Sequence, residues 1–436
     1  MNIKLLLLSI FILVQTQFIR QNPGMPGFVN VKDHRVKGNG QHDESQAIQR
    51  LIKSNSNLFF PKGVYLINSK LLVNNVQNLI LKGEPGTVFR TSENVIIKVS
   101  GGIRNLEIQG ISFVSDKVSE ADDAEGLIFI ANYGSHDVMD CIRITQCSFS
   151  NPKTHANAIK LVSEGLYAEA RNISVSYNTF EGIGRMGVEF QNHENDSQRA
   201  RFRDYEISHN SFTDVGTIQL FPAPSCISVS GNSVNGKINY NRISEMRMDT
   251  SPYIYYGIEN AGTVGLETIG NRMRASRYGF TGILGSGPSA ELTRTTGQPE
   301  KSRWIIRDNV IELRGKVGNQ DKIRGMELAG VNGYTLYNNV IRTDGYAAMF
   351  VDCRNGKIVS NKVKVRAGNA FYFKGRSTGN VLRLNELDCS EGPDHGVVMF
   401  YGASARGNRA YDNKLIRDGG RSGKYVNLEG AENDVK

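Results

Sequence analysis

Residues 173–180 read Ile173-Ser174-Val175-Ser176-Tyr177-Asn178-Thr179-Phe180. Apolar and polar side chains alternate up to Tyr177, the period of an extended strand with one face buried. Asn178 then breaks the alternation. Asparagine suits a sharp bend because it tolerates the left-handed backbone conformation and bonds nearby main chain. The same apolar-x-x-Asn-x-apolar pattern recurs at Asn210, Asn241, Asn271, Asn309, Asn339, Asn361, Asn385 and Asn413. Upstream, Gly83, Gly110 and Cys147 are read in the same slot. The spacings run from 22 to 38 residues, with a mean of 30.

A period this irregular excludes helical repeats of fixed length, and Ile, Val and Phe between turn residues read as short strands. Coils of this size, each able to bury its inward face only against its neighbours, predict an all-β fold: a right-handed parallel β-helix, a solenoid of about twelve coils. Asparagines stacked on successive coils would hydrogen-bond to one another as a ladder.

The stretch from Gly27 to Phe60, with Pro61-Lys62-Gly63-Val64-Tyr65 after it, predicts a cap for the open end of such a solenoid. Asp43-Glu44-Ser45 can cap a helix with Ala47, Ile48, Leu51 and Ile52 on one face, and that helix would cover strand edges that otherwise aggregate. The Val29-Asn30-Val31 strand, Gly-rich loop, Asp-ended cap, helix and Pro-x-Gly-x-Tyr strand resemble the opening segment of the pectate-lyase-like, polygalacturonase-like superfamily of right-handed parallel β-helix proteins. The paired Asp, His-Gly and Arg-Ile-Lys motifs of the polygalacturonases are missing, so the resemblance implies the fold and work on polysaccharide, without implying pectin hydrolysis.

Residues 1–17 predict a signal peptide: Lys4 is followed by an apolar run from Leu5 to Val14 that is too short to span a bilayer. Residues 18–436 then form a single domain with 27–70 as its cap segment, secreted or periplasmic, and off the membrane once the signal is removed. Five cysteines at irregular spacing are no disulfide framework and read as buried free thiols. No CxxC or HxxxH pattern supports a metal site. The formal charge of +9 attracts anionic partners. Without a nucleic-acid-binding signature, the expected partner is an anionic polysaccharide rather than nucleic acid.

Between the Asn turns lies a second recurring strand: Ala158-Ile159-Lys160, Gly187-Val188-Glu189, Thr217-Ile218-Gln219, Gly257-Ile258-Glu259, Gly279-Phe280-Thr281 and Gly325-Met326-Glu327. The apolar residue should point inward and the polar one outward. Glu189, Glu259 and Glu327 would then stand two rungs apart, roughly 9.6 Å at the backbone. Inverting glycosidases hold their carboxyls roughly 6.5–9.5 Å apart, and neighbouring carboxylates raise one another's pKa. These three are the candidate catalytic residues. Lys160, Arg185, His193, Gln219, Tyr255, Arg277, Thr281 and Arg324 are the candidate substrate contacts, and the glycine two places before each Glu would give a flat floor for a sugar. Segments Phe190–Asp204 and Gly282–Trp304 would wall the groove. The expected activity is a glycoside hydrolase needing no cofactor. The alternatives are a polysaccharide lyase acting by β-elimination on uronates, for which clustered Glu could hold Ca²⁺, and a non-catalytic binder or adhesin.

Overall fold

The computed structural model describes residues 27–436 apart from 55–56, 120, 122–124, 134–136, 165–167, 193–198, 200, 219–223, 247–252, 298–300, 316–319, 390–396 and 418–420. The signal-peptide region therefore lies outside the described residues.

The chain is all-β and built on parallel sheets. One sheet has 15 strands in strict chain order, from Asn39–Asp43 and Gly63–Leu66 through Ser148–Asn151, Thr179–Ile183 and Ser211–Val215 to Lys414–Arg417 and Arg421–Ser422. Its pairings are parallel until the last, where Ile416 meets Ser422 antiparallel. The chain thus returns to this sheet once per repeat and lays each new strand beside the previous one. The remaining strands pair in the same repeating way. Long strands such as Ser225–Asn239 and Tyr255–Ile269 bend from one face of the molecule to the next and pair along most of their length.

The core records the repeat in its packing. Phe113, Phe149, Phe180 and Phe212 stack with centroids 5.2, 5.0 and 4.6 Å apart. Each ring buries what its predecessor leaves exposed, at about 1.5–3 kcal/mol per buried large apolar side chain.

The asparagine ladder forms as expected. The backbone N–H and Nδ2 of Asn178 both donate to Asn210 Oδ1 (2.9 and 3.1 Å), and the same double bond repeats through Asn241, Asn271, Asn309, Asn339, Asn361 and Asn385 to Asn413. Cys147 feeds the ladder by donating its N–H to Asn178 Oδ1 at 2.9 Å. Two details differ from the sequence reading. The left-handed residue is the one before each Asn (Tyr177 at φ 58°, His209 at 56°, Tyr240 at 56°), so the asparagine supplies bonds and its neighbour supplies the bend. Gly110 (φ 71°) belongs to that bend position, and Ile111 fills the ladder slot. A second ladder, Asn380–Asn408–Asn433, runs at another corner.

Asn241→Ala should therefore cost about 2–4 kcal/mol. It removes the acceptor for two donors of Asn210 and strands the carbonyl of Ile207, all buried. The urea midpoint reports it, and Asn413→Ala, at the half-buried end of the ladder, should shift the midpoint less.

The capping helix forms over Ser45–Ser54 with Ile48 and Leu51 buried and Ala47 and Ile52 packed against the core. Asp43 Oδ1 accepts from Ser45 N–H at 3.0 Å, and those bonds lower the Asp43 pKa despite some burial. Glu44 instead turns back to accept from the amide of Gly38 at 2.9 Å, tying the Gly-rich loop to the helix start. Tyr65 donates its hydroxyl to Pro61 O at 2.6 Å and meets Phe60 and Phe89 edge-on. All five cysteines are free, and burial pushes the thiols of Cys147 and Cys353 up to about 12.

Candidate functional site

Strand pairing fixes which side chains share a row. Lys160 lies beside Glu189, Glu189 beside Ser228, Ser228 beside Glu259, Glu259 beside Leu284, and Leu284 beside Glu327. The three glutamates therefore do stand two strands apart, roughly 9.6 Å between backbones. The residues between them are Ser228 and Leu284, where the sequence reading had Gln219 and Thr281. Gln219 and His193 lie outside the described residues. Thr281 is fully buried and sits in a neighbouring row with Ser225, Tyr256 and Arg324.

That second row corrects Tyr255. Tyr255 aligns with Phe280 and Ile323 and is 2 % exposed, so it belongs to the core, and Tyr256 takes the outer place. The cause is a slip in alternation. A Cβ on Gly257 would meet Gly282 O at 2.7 Å and Met273 Sδ at 3.1 Å, so the glycine faces inward, as does Ile258 after it. Gly187 and Gly325 face inward likewise, against Phe212 and Ile341. These glycines let the chain turn a crowded corner and offer no floor to a sugar.

Arg277 is also not a surface contact. It is 0 % exposed, its Nη2 donates to Glu245 Oε2 at 2.6 Å and to Val215 O at 2.7 Å, and the Tyr255 ring lies 4.0 Å from its guanidinium carbon. Glu245 and this arginine form a buried ion pair behind the site.

The three glutamates have different surroundings. Glu189 Oε2 accepts from Arg185 Nη1 (2.9 Å), Asn157 Nδ2 (2.9 Å) and Lys160 Nζ (3.1 Å), and the residue is 5 % exposed. Glu327 is paired with Arg324, three residues earlier, and keeps 21 % of its side chain exposed. Glu259 Oε2 accepts from Ser228 Oγ (2.9 Å) and Ser225 Oγ (3.1 Å) and forms no ion pair among the described residues. Burial raises its pKa, the nearby charge of Glu189 adds to that, and the serine bonds and Arg185 oppose it. Tyr256 lies within the field of Glu259 and Glu327, and burial first, then those charges, raises its pKa.

The face thus holds one carboxyl whose burial favours its neutral form and two carboxylates that are ion-paired, with a tyrosine beside them. A carboxyl raised above its ordinary pKa beside others held by cations is an arrangement that suits acid–base chemistry. The row beyond, Ser230, Ala261, Ser286 and Ala329, carries small side chains. Past it, the helix Ala290–Thr295 docks Leu292 on Val234 and Val264, so part of the Gly282–Trp304 segment does flank this edge. Of the other expected wall, residues 193–198 and 200 lie outside the described residues. Among the described residues no group of three His, Cys, Asp or Glu side chains converges to hold a metal ion, and no helix is long and apolar enough to cross a membrane.

Comparison with known proteins bears on the fold. Residues 28–220 match the family model for rhamnogalacturonase A/epimerase, pectate lyase-like. A search among curated proteins finds no match. Among solved structures, the DFA-IIIase of Arthrobacter chlorophenolicus A6 superposes with a TM-score of 0.57 at 11% identity, over 82% of this chain and 94% of that one. The catalytic unit of a GH87 α-1,3-glucanase from Streptomyces thermodiastaticus gives 0.56 at 15% identity, over 95% of this chain and 69% of that one. The A-module of the mannuronan C-5 epimerase AlgE6 of Azotobacter vinelandii gives 0.53 at 13% identity, over 93% and 97%. At these identities the likeness concerns the fold. With the parallel strand returns and the match over residues 28–220, it gives this chain the fold of the pectate-lyase-like parallel β-helix proteins.

Proposed function

We propose that the chain is a secreted carbohydrate-active enzyme that hydrolyses glycosidic bonds of a polysaccharide on the face carrying Glu189, Glu259 and Glu327. The carrying observation is Glu259: a largely buried carboxyl bonded to two hydroxyls, without an ion-pair partner among the described residues, held above the ordinary glutamate pKa. It is the general acid, protonating the leaving oxygen. Glu327, paired with Arg324 and the more exposed of the other two, is the base that takes a proton from the attacking water. Glu189 organises Lys160, Arg185 and Asn157 at the next position along the face. Tyr256 is the stacking platform for a sugar ring.

This arrangement favours hydrolysis over β-elimination. A lyase needs cations free to neutralise a uronate carboxylate. Here Lys160, Arg185 and Arg324 are each already bonded to a glutamate. The acid–base pair favours an enzyme over a passive binder, and proteins of similar fold include a glucanase and an epimerase.

A screen of the purified chain against neutral and anionic polysaccharides tests the reading. New reducing ends without ultraviolet absorbance from unsaturated sugar ends are the expected result. Unsaturated ends would replace hydrolysis by elimination, and retention without any new ends would make the protein a binder.

A further inference from the structure

At the glutamate face Lys160, Arg185 and Arg324 are each paired with a glutamate. A group of exposed cations lies on the outer side of the 15-stranded sheet. There, a row across consecutive strands reads Arg274, Glu312, Arg342 and Lys364. Arg314 and Arg366 join Arg274, Arg342 and Lys364 in lining a concavity of about 420 Å³. Arg242 and Arg272 pair side by side in the adjacent row, where Lys362 follows further along.

Three of these cations have acidic partners: Arg342 with Glu312 at 2.7 Å, Lys364 with Asp388 at 3.4 Å and Arg366 with Asp344 at 3.4 Å. Arg274 and Arg314 have no hydrogen-bond or ion-pair partner among the described residues, although both side chains open onto the concavity. Arg314 lies diagonally across from Arg274 on the next strand, with Glu312 directly opposite Arg274, and the planar donor forks of the two arginines match carboxylate oxygens.

We propose that this surface is a docking site for an acidic polysaccharide, laid across the strands so that successive sugar carboxylates meet Arg274, Arg314 and their neighbours. The strand pitch of roughly 4.8 Å presents a new side chain in each row at every step, a linear array suited to a linear polyanion. Uronate polymer is favoured over nucleic acid because these rows carry no aromatic ring on which a base could stack. The site does not depend on the glutamate chemistry. It would hold the chain on an anionic matrix, with Glu259 on a different sheet.

The test is binding of the full chain to polygalacturonate, with neutral dextran as control, by isothermal titration at low and at physiological salt. The wild type should bind polygalacturonate, more weakly at higher salt, and ignore dextran. Arg274→Glu/Arg314→Glu should weaken binding roughly tenfold or more, with an unchanged melting temperature. Glu259→Gln should bind as wild type, which separates failure here from failure of the hydrolase reading. The proposal is overturned if the double variant binds polygalacturonate undiminished. It is equally overturned if oligo(dT) binds more tightly than polygalacturonate and is the ligand the double variant loses.

Discussion

Arg277→Met is expected to destabilise the folded chain by about 3–5 kcal/mol, the cost of leaving a buried charge without its partner. Arg277 and Glu245 have side chains 0 % and 2 % exposed, so neither can turn to solvent. Glu245 is held by more than the arginine: Oε1 also accepts from Val215 N–H at 3.1 Å and from Cys226 Sγ at 3.6 Å. Methionine matches the bulk of the arginine stem and keeps contact with the Tyr255 ring, so the loss reports the charge more than a cavity. Burial already raises the Glu245 pKa, with Arg277 and the Val215 amide opposing. Without Arg277 that opposition falls and the folded-state value rises further above the unfolded one. The sign follows: the deficit is small at a pH below the unfolded value of about 4.3, where the carboxyl is protonated in both states, and grows as pH rises through the raised folded value. Urea titrations at acid and neutral pH measure this. Glu245→Gln added to Arg277→Met removes the stranded charge and should recover a large part of the loss. If both single variants unfold at the wild-type midpoint, the pair contributes nothing to stability.

The same pair marks the limit of what the sequence discloses. The ladder was legible because its asparagines serve one local purpose at every turn, and the spacing of that purpose survives insertions elsewhere in the coil. The rows of the glutamate face were legible where a Gly-apolar-Glu triplet recurs, which found Glu189, Glu259 and Glu327 with the correct two-strand separation. Between them the triplet misled, since Gly279-Phe280-Thr281 lies three residues upstream of the true slot at Leu284. A better signal was available: Ser228, Glu259 and Glu327 each follow a ladder asparagine by 18 residues. Tyr255 and Arg277 were placed outside by assuming unbroken alternation. Alternation fails where the main chain turns a corner, and whether a glycine marks a floor or a corner depends on what stands opposite, here Phe212, Met273 and Ile341. An arginine drawn inward by a glutamate from a distant part of the repeat leaves no local trace. Arg274 and Arg314 were missed for the opposite reason: charges on an exposed strand face look like solubilising residues until the coils stack them together.

Glu259→Gln is expected to lower kcat on the polysaccharide cleaved by the wild type by roughly 10²–10⁴-fold, with little change in KM. Glutamine keeps the shape and can still accept from Ser225 and Ser228, so the fold and the bound substrate should be retained while the transferable proton is lost. The pH profile separates this from a structural role. A general acid must be protonated, so wild-type kcat should fall as pH rises through the elevated Glu259 value, and the variant's residual rate should lack that alkaline limb. Stability should move the other way. A carboxyl whose folded pKa is raised supports the fold below its unfolded pKa and loses that support as pH rises through the folded value. Above its elevated folded value the wild type carries a buried charge that the variant does not, and there Glu259→Gln should melt no lower than wild type while being inactive. Glu327→Gln should also lower kcat, because an amide cannot take the proton from the attacking water. Glu189→Gln, with its three donors left facing an amide, should raise KM and lower the melting temperature together. Full activity in Glu259→Gln would move the acid to another residue of this face, and Tyr256, the remaining acidic hydrogen beside Glu259 and Glu327, would be the next to replace.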